Sequence, residues 1–442
     1  MKNFSIDNQT FKDLNIFTES PNSNSIFNLF KGTRTLGARE RLKEIMESPS
    51  SDIEDITLRR DSIKYFYTHK VELDIRNEEL DLIEFYLKSD KRKSRNNPID
   101  AVTDYITRNS SNEYYIIKTG LKYLIKLSKY ISGFISDNTS DNTPAYLAVI
   151  FERITTIIEE GLLKQAILLN GNNLKFFQVN RLDQAFRGEE KENIHTLLQL
   201  IYELDIYENA SMVALKLGLS FPVYENEKNM QVSLTGLFHP AITNPIKNDV
   251  VFDKDQNLIF LTGSNMAGKS SLLKSLGLVI YLSHLGFPVP ADHMKTTIFN
   301  GLVTTINLPD DISQGLSHYY SEIRRVKQVS LQLVENDRMF VIFDELFRGT
   351  NVKDAFDASL LIISELSHIK NSAFFISTHI VELAKELKKF DNISFRYLET
   401  FFKQDKPVFT YRLAEGIGKE HLGMFIVQNE GIVDIIRRAS KN

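Results

Sequence analysis

The chain is 442 residues long with a formal net charge of −4, 42 % apolar and 25 % charged side chains, an ordinary balance for globular domains and enough for two or three of them. It contains no cysteine, so disulfides and thiolate metal sites are excluded, and its acidic balance leaves only a local patch to support nucleic-acid binding. The opening MKNFSIDNQTF lacks the apolar core of a signal peptide and no apolar run approaches the roughly 18–20 residues of a membrane span, so a cytoplasmic protein with no membrane partner is expected.

Residues 1–75 mix polar and apolar positions at helical spacing, with an early loop at ESPNSNS. From about 78 to 235, helix-period segments dominate, among them NEELDLIEFYLKSDK, NEYYIIKTGLKYLIKLSKYISGFI, AYLAVIFERITTIIEEGLLKQAILL and NIHTLLQLIYELDIYENASMVALKL. Polar breakers at DKRKSRNNP, SDNTSDNTP and NGNN read as turns between antiparallel helices. The basic run KSDKRKSRNN (88–97) reads as a solvated turn, with phosphate contact at a helical tip as the alternative. The 30 Phe and 17 Tyr, frequent in the helix-period segments, are expected to form core. Near 221–250 the character changes to short strand-like pieces, FPVYENE, MQVSLTG and DVVFDKDQNLIFLTG. Apolar strands then alternate with helices: NLIFLTG, GLVTTINL, MFVIFDE, SAFFISTH, ISFRYLET and VFTYRLAEG. Such alternation predicts an α/β sheet domain, and divides the chain into a helical half, 1–235, and a second half, 236–442.

The second half carries the chemistry. In LTGSNMAGKSS (261–271), Gly263, four residues, Gly268, Lys269 and Ser270 form the phosphate-binding loop pattern. The backbone of Gly263, Ser264, Asn265, Met266, Ala267, Gly268, Lys269, Ser270 and Ser271 would cradle a β-phosphate at a helix N-terminus, where the donors are unsatisfied. Lys269 would reach the β- and γ-phosphates and Ser270 would ligate Mg²⁺. In MFVIFDELFRGTN an apolar strand ends in Asp344-Glu345. Asp344 would hold the Mg²⁺ shell and Glu345 would orient or deprotonate the attacking water. A P-loop phosphotransferase needs no adjacent glutamate, so the pair favours hydrolysis of ATP. A third apolar strand ends in Thr378-His379, placing His379 as a γ-phosphate sensor. Between loop and carboxylates, Gly315-Leu316-Ser317 precedes a helix carrying Glu322 and Arg324-Arg325. Taken alone, Ser317 there is an ordinary N-cap.

These motifs together resemble the ATPase domain of the MutS DNA mismatch repair family. Its loop, TGPNMxGKS, appears as TGSNMAGKSS with Ser264 for proline; its HP and ND appear as His239-Pro240 and Asn248-Asp249. GFPVPA, GLSHYYSEI, DELFRGTNVKDAFD and STH follow in the family's order. More weakly, DNQTFKDLNIF, GTRTLGARERLKEIMESPSSD and LLQLIYELDIYENASMVALKLGLSFP resemble its core and lever regions. The sequence departs from the family in several ways. Its two N-terminal domains, including the mismatch reader, are expected to be missing, and the letters Phe17-Thr18-Glu19 are not taken as that reader's wedge. The helical stretch is too short for long levers plus a full clamp, and no nuclease domain is expected to follow. Pro245-Ile246 replaces the family's adenine-contacting aromatic.

The resemblance implies an α + α/β fold: an all-α core/lever region over 1–235, then an ABC-type P-loop ATPase domain over 236–442 with a mostly parallel sheet. It implies ATP and Mg²⁺ as cofactors. It also implies a homodimer through the ATPase domains, in which Ser317 completes the partner's site. DNA and other repair proteins are the implied partners, in mismatch repair or recombination-related maintenance without direct mismatch reading. The alternative is a nucleotide-switched protein-interaction module that does not bind DNA. A transporter ATPase is disfavoured because the LSGGQ signature is absent.

Overall fold

The computed structural model describes residues 4–17, 25–88, 112–226, 229–264, 266–306, 318–403, 406–418 and 431–439. The basic run expected at 88–97 lies almost wholly outside them, as do Asn265 and Ser317. The chain forms two compact units, one of Met1–Ile26, Ser48–Thr57 and Leu217–Asn442, the other of Phe27–Glu47 and Leu58–Lys216.

The second of these units is helical among its described residues. Ala145–Glu159 buries Leu147, Ile150, Phe151, Ile154, Ile157 and Ile158, the three- and four-residue spacing of one helix face. Lys191–Leu217 is different, because every residue from Leu204 to Ser211 is buried. Its polar members therefore need partners. Asp205 accepts from the backbone N–H groups of Arg34 (3.0 Å) and Thr35 (3.1 Å). Glu208 takes the Arg34 guanidinium through both oxygens, at 2.7 and 3.1 Å, and the Leu73 amide at 3.0 Å. Burial nevertheless pushes the Asp205 carboxyl up to about 6, against the bonds from Arg34 and Thr35.

The other unit holds two sheets. In the larger one, five parallel strands run inward from one edge: β1 (Ser5–Ile6), β7 (Gly301–Thr305), β8 (Met339–Asp344), β9 (Ala373–Ser377) and β5 (Leu258–Thr262), in that spatial order. Beyond β5 comes β10 (Ile393–Lys403), parallel to it, and then β11 (Lys406–Glu415), antiparallel to β10. β5, β7 and β9 are buried at every position, which is why they read as continuous apolar runs rather than alternating ones. A smaller sheet has the order β2 (Val223–Glu225), β6 (His293–Thr297), β3 (Val232–Leu237) and β4 (Asn248–Phe252). Mixed α/β architecture with a mostly parallel sheet agrees with expectation.

The units do not follow a linear boundary at 235. Ser5 and Ile6 pair with Gly301 and Leu302. Ser50 and His284 exchange backbone and ring hydrogen bonds. Such long-range pairing places two N-terminal segments with the sheet rather than with the helices.

Candidate functional site

The loop after β5 turns the chain from a strand into a buried helix, α1 in the numbering used here (Lys269–Ser283). Gly263 (φ 148°) and Gly268 (φ 95°) take conformations that L side chains avoid. Gly268 is the N-cap, without a side-chain cap bond, and the first-turn amides of any helix lack intrahelical acceptors. Met266 is exposed, Ala267 buried, and the Ser264 hydroxyl is buried without a hydrogen-bond partner among the described residues. Unfilled donors around a glycine turn suit an anion.

Lys269 is only 3 % exposed. Its ammonium donates to the Gly263 carbonyl at 2.7 Å and lies 3.0 Å from Nδ1 of His379. Burial pushes its pKa below the ordinary lysine value, while Glu345 and Asp344 pull it back up. Ser270, on the next position of α1, donates to Oδ2 of Asp344 at 2.8 Å. Ser377, at the end of β9, donates to the other oxygen.

Glu345 follows β8 with φ 55°, and Phe347 has φ 61°; neither residue type favours the left-handed region, and such strain is held by surrounding structure. The Glu345 amide donates to the Ser377 carbonyl at 3.0 Å. Its carboxylate pairs with Nε2 of His379, and Arg348 stands 3.8 Å away. Burial raises the Glu345 pKa, but His379, Lys269 and Arg348 outweigh it and hold the carboxyl below its ordinary value. A His379 imidazole carrying its proton on Nε2 satisfies both neighbours, donating to Glu345 and accepting from Lys269 at Nδ1. Thus Lys269, Ser270, Asp344, Glu345 and His379 converge at the carboxyl ends of adjacent parallel strands.

A cavity of about 370 Å³ opens beside the loop, lined by Phe238, His239, Ile246, Ala267, Ser271 and Tyr411 among others. Tyr411 was not singled out by sequence, because VFTYRLAEG reads as one strand. Its ring lies so close to the loop that a Cβ on Gly268 would come within 3.0 Å of it. The motif asparagine Asn248 fixes this strand from both sides, donating to the Tyr411 carbonyl at 3.0 Å and accepting from the Leu413 amide at 2.7 Å. Glu322 accepts from the Gly349 amide at 3.2 Å, and Asn351 caps the helix Val352–Leu366 through Asp354.

A glycine loop thus joins a central parallel strand to a helix, with carboxylates at the tip of another strand, in a mixed α/β domain with a mostly parallel sheet. Residues 259–442 match the family model described as MutS domain V. The DNA mismatch repair protein MutS of Pseudothermotoga lettingae is 26 % identical over 248 residues, covering 55 % of this chain and 30 % of that protein. The MutS of Petrotoga mobilis is 25 % identical over 332 residues (72 % and 39 %), and that of Oceanobacillus iheyensis 27 % over 343 (73 % and 39 %). The chain is MutS-like, and spans between 30 and 39 % of the length of these relatives. No helix among the described residues is long and apolar enough to cross a membrane.

Proposed function

We propose that the protein binds and hydrolyses ATP with Mg²⁺ and uses the cycle to change its conformation on DNA, in mismatch repair or recombination-related maintenance. The observation that carries the ATPase reading is the convergence of Lys269, Ser270, Asp344, Glu345 and His379 on one loop. In this reading Gly263 to Ser271 seat the phosphates and Lys269 neutralises them. Ser270 and Asp344 offer hard oxygen donors, which suit a Mg²⁺ ion. That ion would supply charge neutralisation to the phosphates when bound. Glu345, ionised by its cationic neighbours, takes the proton of the attacking water, and His379 keeps its carboxylate turned toward the loop. The cavity against Tyr411 receives the base.

Two parts of the proposal rest on the family likeness. Ser317 would complete the partner's site in a dimer of ATPase domains, and DNA would be the substrate because the relatives are named DNA mismatch repair proteins. Mismatch reading is no part of the activity proposed, and a cytoplasmic location is. Phosphate release, measured with and without duplex, branched and single-stranded DNA alongside gel shifts with the same DNAs, tests the ATPase and DNA readings. Absence of turnover removes the ATPase reading; turnover without DNA binding at low salt favours a nucleotide-switched module that docks a protein instead.

A further inference from the structure

The first residues of the chain are built into the edge of the ATPase sheet. Ser5 donates its amide to the Asn300 carbonyl at 2.7 Å, and β1 covers β7, which would otherwise be exposed. The approach is close enough that a Cβ on Gly301 would lie 2.6 Å from the Ser5 carbonyl oxygen. A short helix, Asn8–Asp13, follows, capped by Asp7. Thr10 accepts from the Thr304 amide at 3.0 Å. Asp13 accepts from the Thr304 hydroxyl at 2.8 Å and the Ile306 amide at 2.9 Å. The carboxyl end of β7 is therefore held by three bonds from residues 10 and 13.

Asp7 does a second thing. One oxygen caps its own helix by accepting from the Thr10 amide and hydroxyl; the other takes the guanidinium of Arg325. Arg325 is buried and uses two more donors on the Thr305 hydroxyl (3.1 Å) and the Thr304 carbonyl (2.6 Å). It sits on the helix His318–Glu335, one turn beyond Glu322. Glu322 is also buried, and it holds the Gly349 amide of the turn that begins at Glu345. Tyr319 of the same helix packs edge-on against Phe347, centroids 5.9 Å apart. Thr305, Glu322, Asp344, Glu345 and Phe347 line one small cavity, so the end of β7, the helix and the strained turn share a common wall.

We infer that residues 5–13 are a positioning element of the hydrolytic centre, with Asp7 acting through Arg325 and Glu322 to keep Glu345 in its left-handed turn. The inference rests on the hydrolysis proposed above. Two backbone outliers, Glu345 and Phe347, need over-determined surroundings to persist, and the helix that braces them is anchored at Arg325. The contacts named for Asp7, Arg325 and Glu322 run to β7 and to the turn after β8 rather than to the phosphate loop, so nucleotide affinity and turnover are expected to separate.

The test is Asp7→Asn in the full chain. Asparagine caps a helix as well as aspartate does, so the substitution removes the negative charge that faces Arg325 and spares the helix cap. The control is Asn8→Ala, at an exposed position of the same helix. Asp7→Asn is expected to lower kcat by about tenfold or more, the scale of a slightly misplaced catalytic group. Binding of a fluorescent non-hydrolysable ATP analogue should stay within about twofold, and Asn8→Ala should match the parent. Amide hydrogen exchange, read without nucleotide, should quicken at 345–350 and stay constant at 263–272. An unchanged kcat, or unchanged exchange at 345–350, overturns the inference. A parent protein that exchanges as expected but shows no turnover overturns the hydrolytic reading instead, leaving the brace itself decided by exchange.

Discussion

The Ser270 hydroxyl and Oδ2 of Asp344 are 2.8 Å apart, with the serine donating, so two residues 74 positions apart in sequence already share a hydrogen bond. Ser377 occupies the second carboxylate oxygen. If this pair serves Mg²⁺, removing the hydroxyl weakens only metal-assisted binding. Ser270→Ala is expected to weaken ATP binding about tenfold in the presence of Mg²⁺, the worth of one bond to a charged group. In EDTA the affinity should match the parent. Calorimetric titration under the two conditions decides it, and an equal loss in both would place Ser270 outside the metal shell.

Glu345 and His379 separate binding from turnover. Gln at 345 keeps an oxygen for the Nε2–H of His379 but has no basic lone pair for a water proton. Glu345→Gln should lower steady-state phosphate release by about 10²–10⁴-fold, the usual contribution of a general base. ATP affinity, which depends on the loop and Lys269, should be retained. Unchanged turnover would assign the base elsewhere.

Tyr411 supplies the aromatic wall that Pro245-Ile246 do not. Stacking of this kind contributes about 0.5–1.5 kcal/mol beyond burial, so Tyr411→Ala should weaken ATP severalfold while Tyr411→Phe stays close to the parent. Competition with inorganic tripolyphosphate gives the control, because a ligand without a base should bind parent and Tyr411→Ala alike. If tripolyphosphate binding falls in step with ATP, the ring is supporting the loop at Gly268 rather than a base.

Much of the site was legible because its parts are local. The runs LIFLT, MFVIFD and AFFIS are continuous apolar strands, and the glycines, Lys269 and the acidic pair lie at their ends. What the sequence concealed is tertiary. A two-residue strand at Ser5–Ile6 has no periodicity to detect, and its pairing with Gly301 closes a loop of nearly three hundred residues. Ser5 and Ile6 therefore read as helical-half material although they complete the sheet. The left-handed turn at Glu345 has no signal either, since glutamate does not mark that conformation. Gly37, quoted only as a motif letter, turns out to face the Tyr202 ring so closely that a Cβ would lie 2.3 Å from it.

His284 is the remaining residue whose setting fixes a measurable outcome. It is fully buried, its ring tilted against that of Phe4 with centroids 4.2 Å apart. Its Nδ1 lies 2.9 Å from the Ser50 carbonyl, and Nε2 accepts from the Phe299 amide at 3.3 Å. The neutral imidazole satisfies both contacts; a second proton on Nε2 would face the Phe299 donor. Burial pushes its pKa down from 6.5 to about 4, against the hydrogen bond to Ser50. Between those values the unfolded chain binds a proton that the folded chain refuses, so stability rises with pH across the window and is lost as pH falls from 6.5 toward 4. The full loss is about 3 kcal/mol at 1.36 kcal/mol per pH unit. Asp205, raised to about 6 in the other unit, contributes the opposite slope between 3.8 and 6, so the measurement must be differential. His284→Gln, which does not titrate, should be less stable than the parent at pH 7 and should lose less stability on acidification to pH 4.5. Urea unfolding followed by circular dichroism at both pH values reads the difference, and identical pH slopes for parent and variant would show that His284 is not the titrating group.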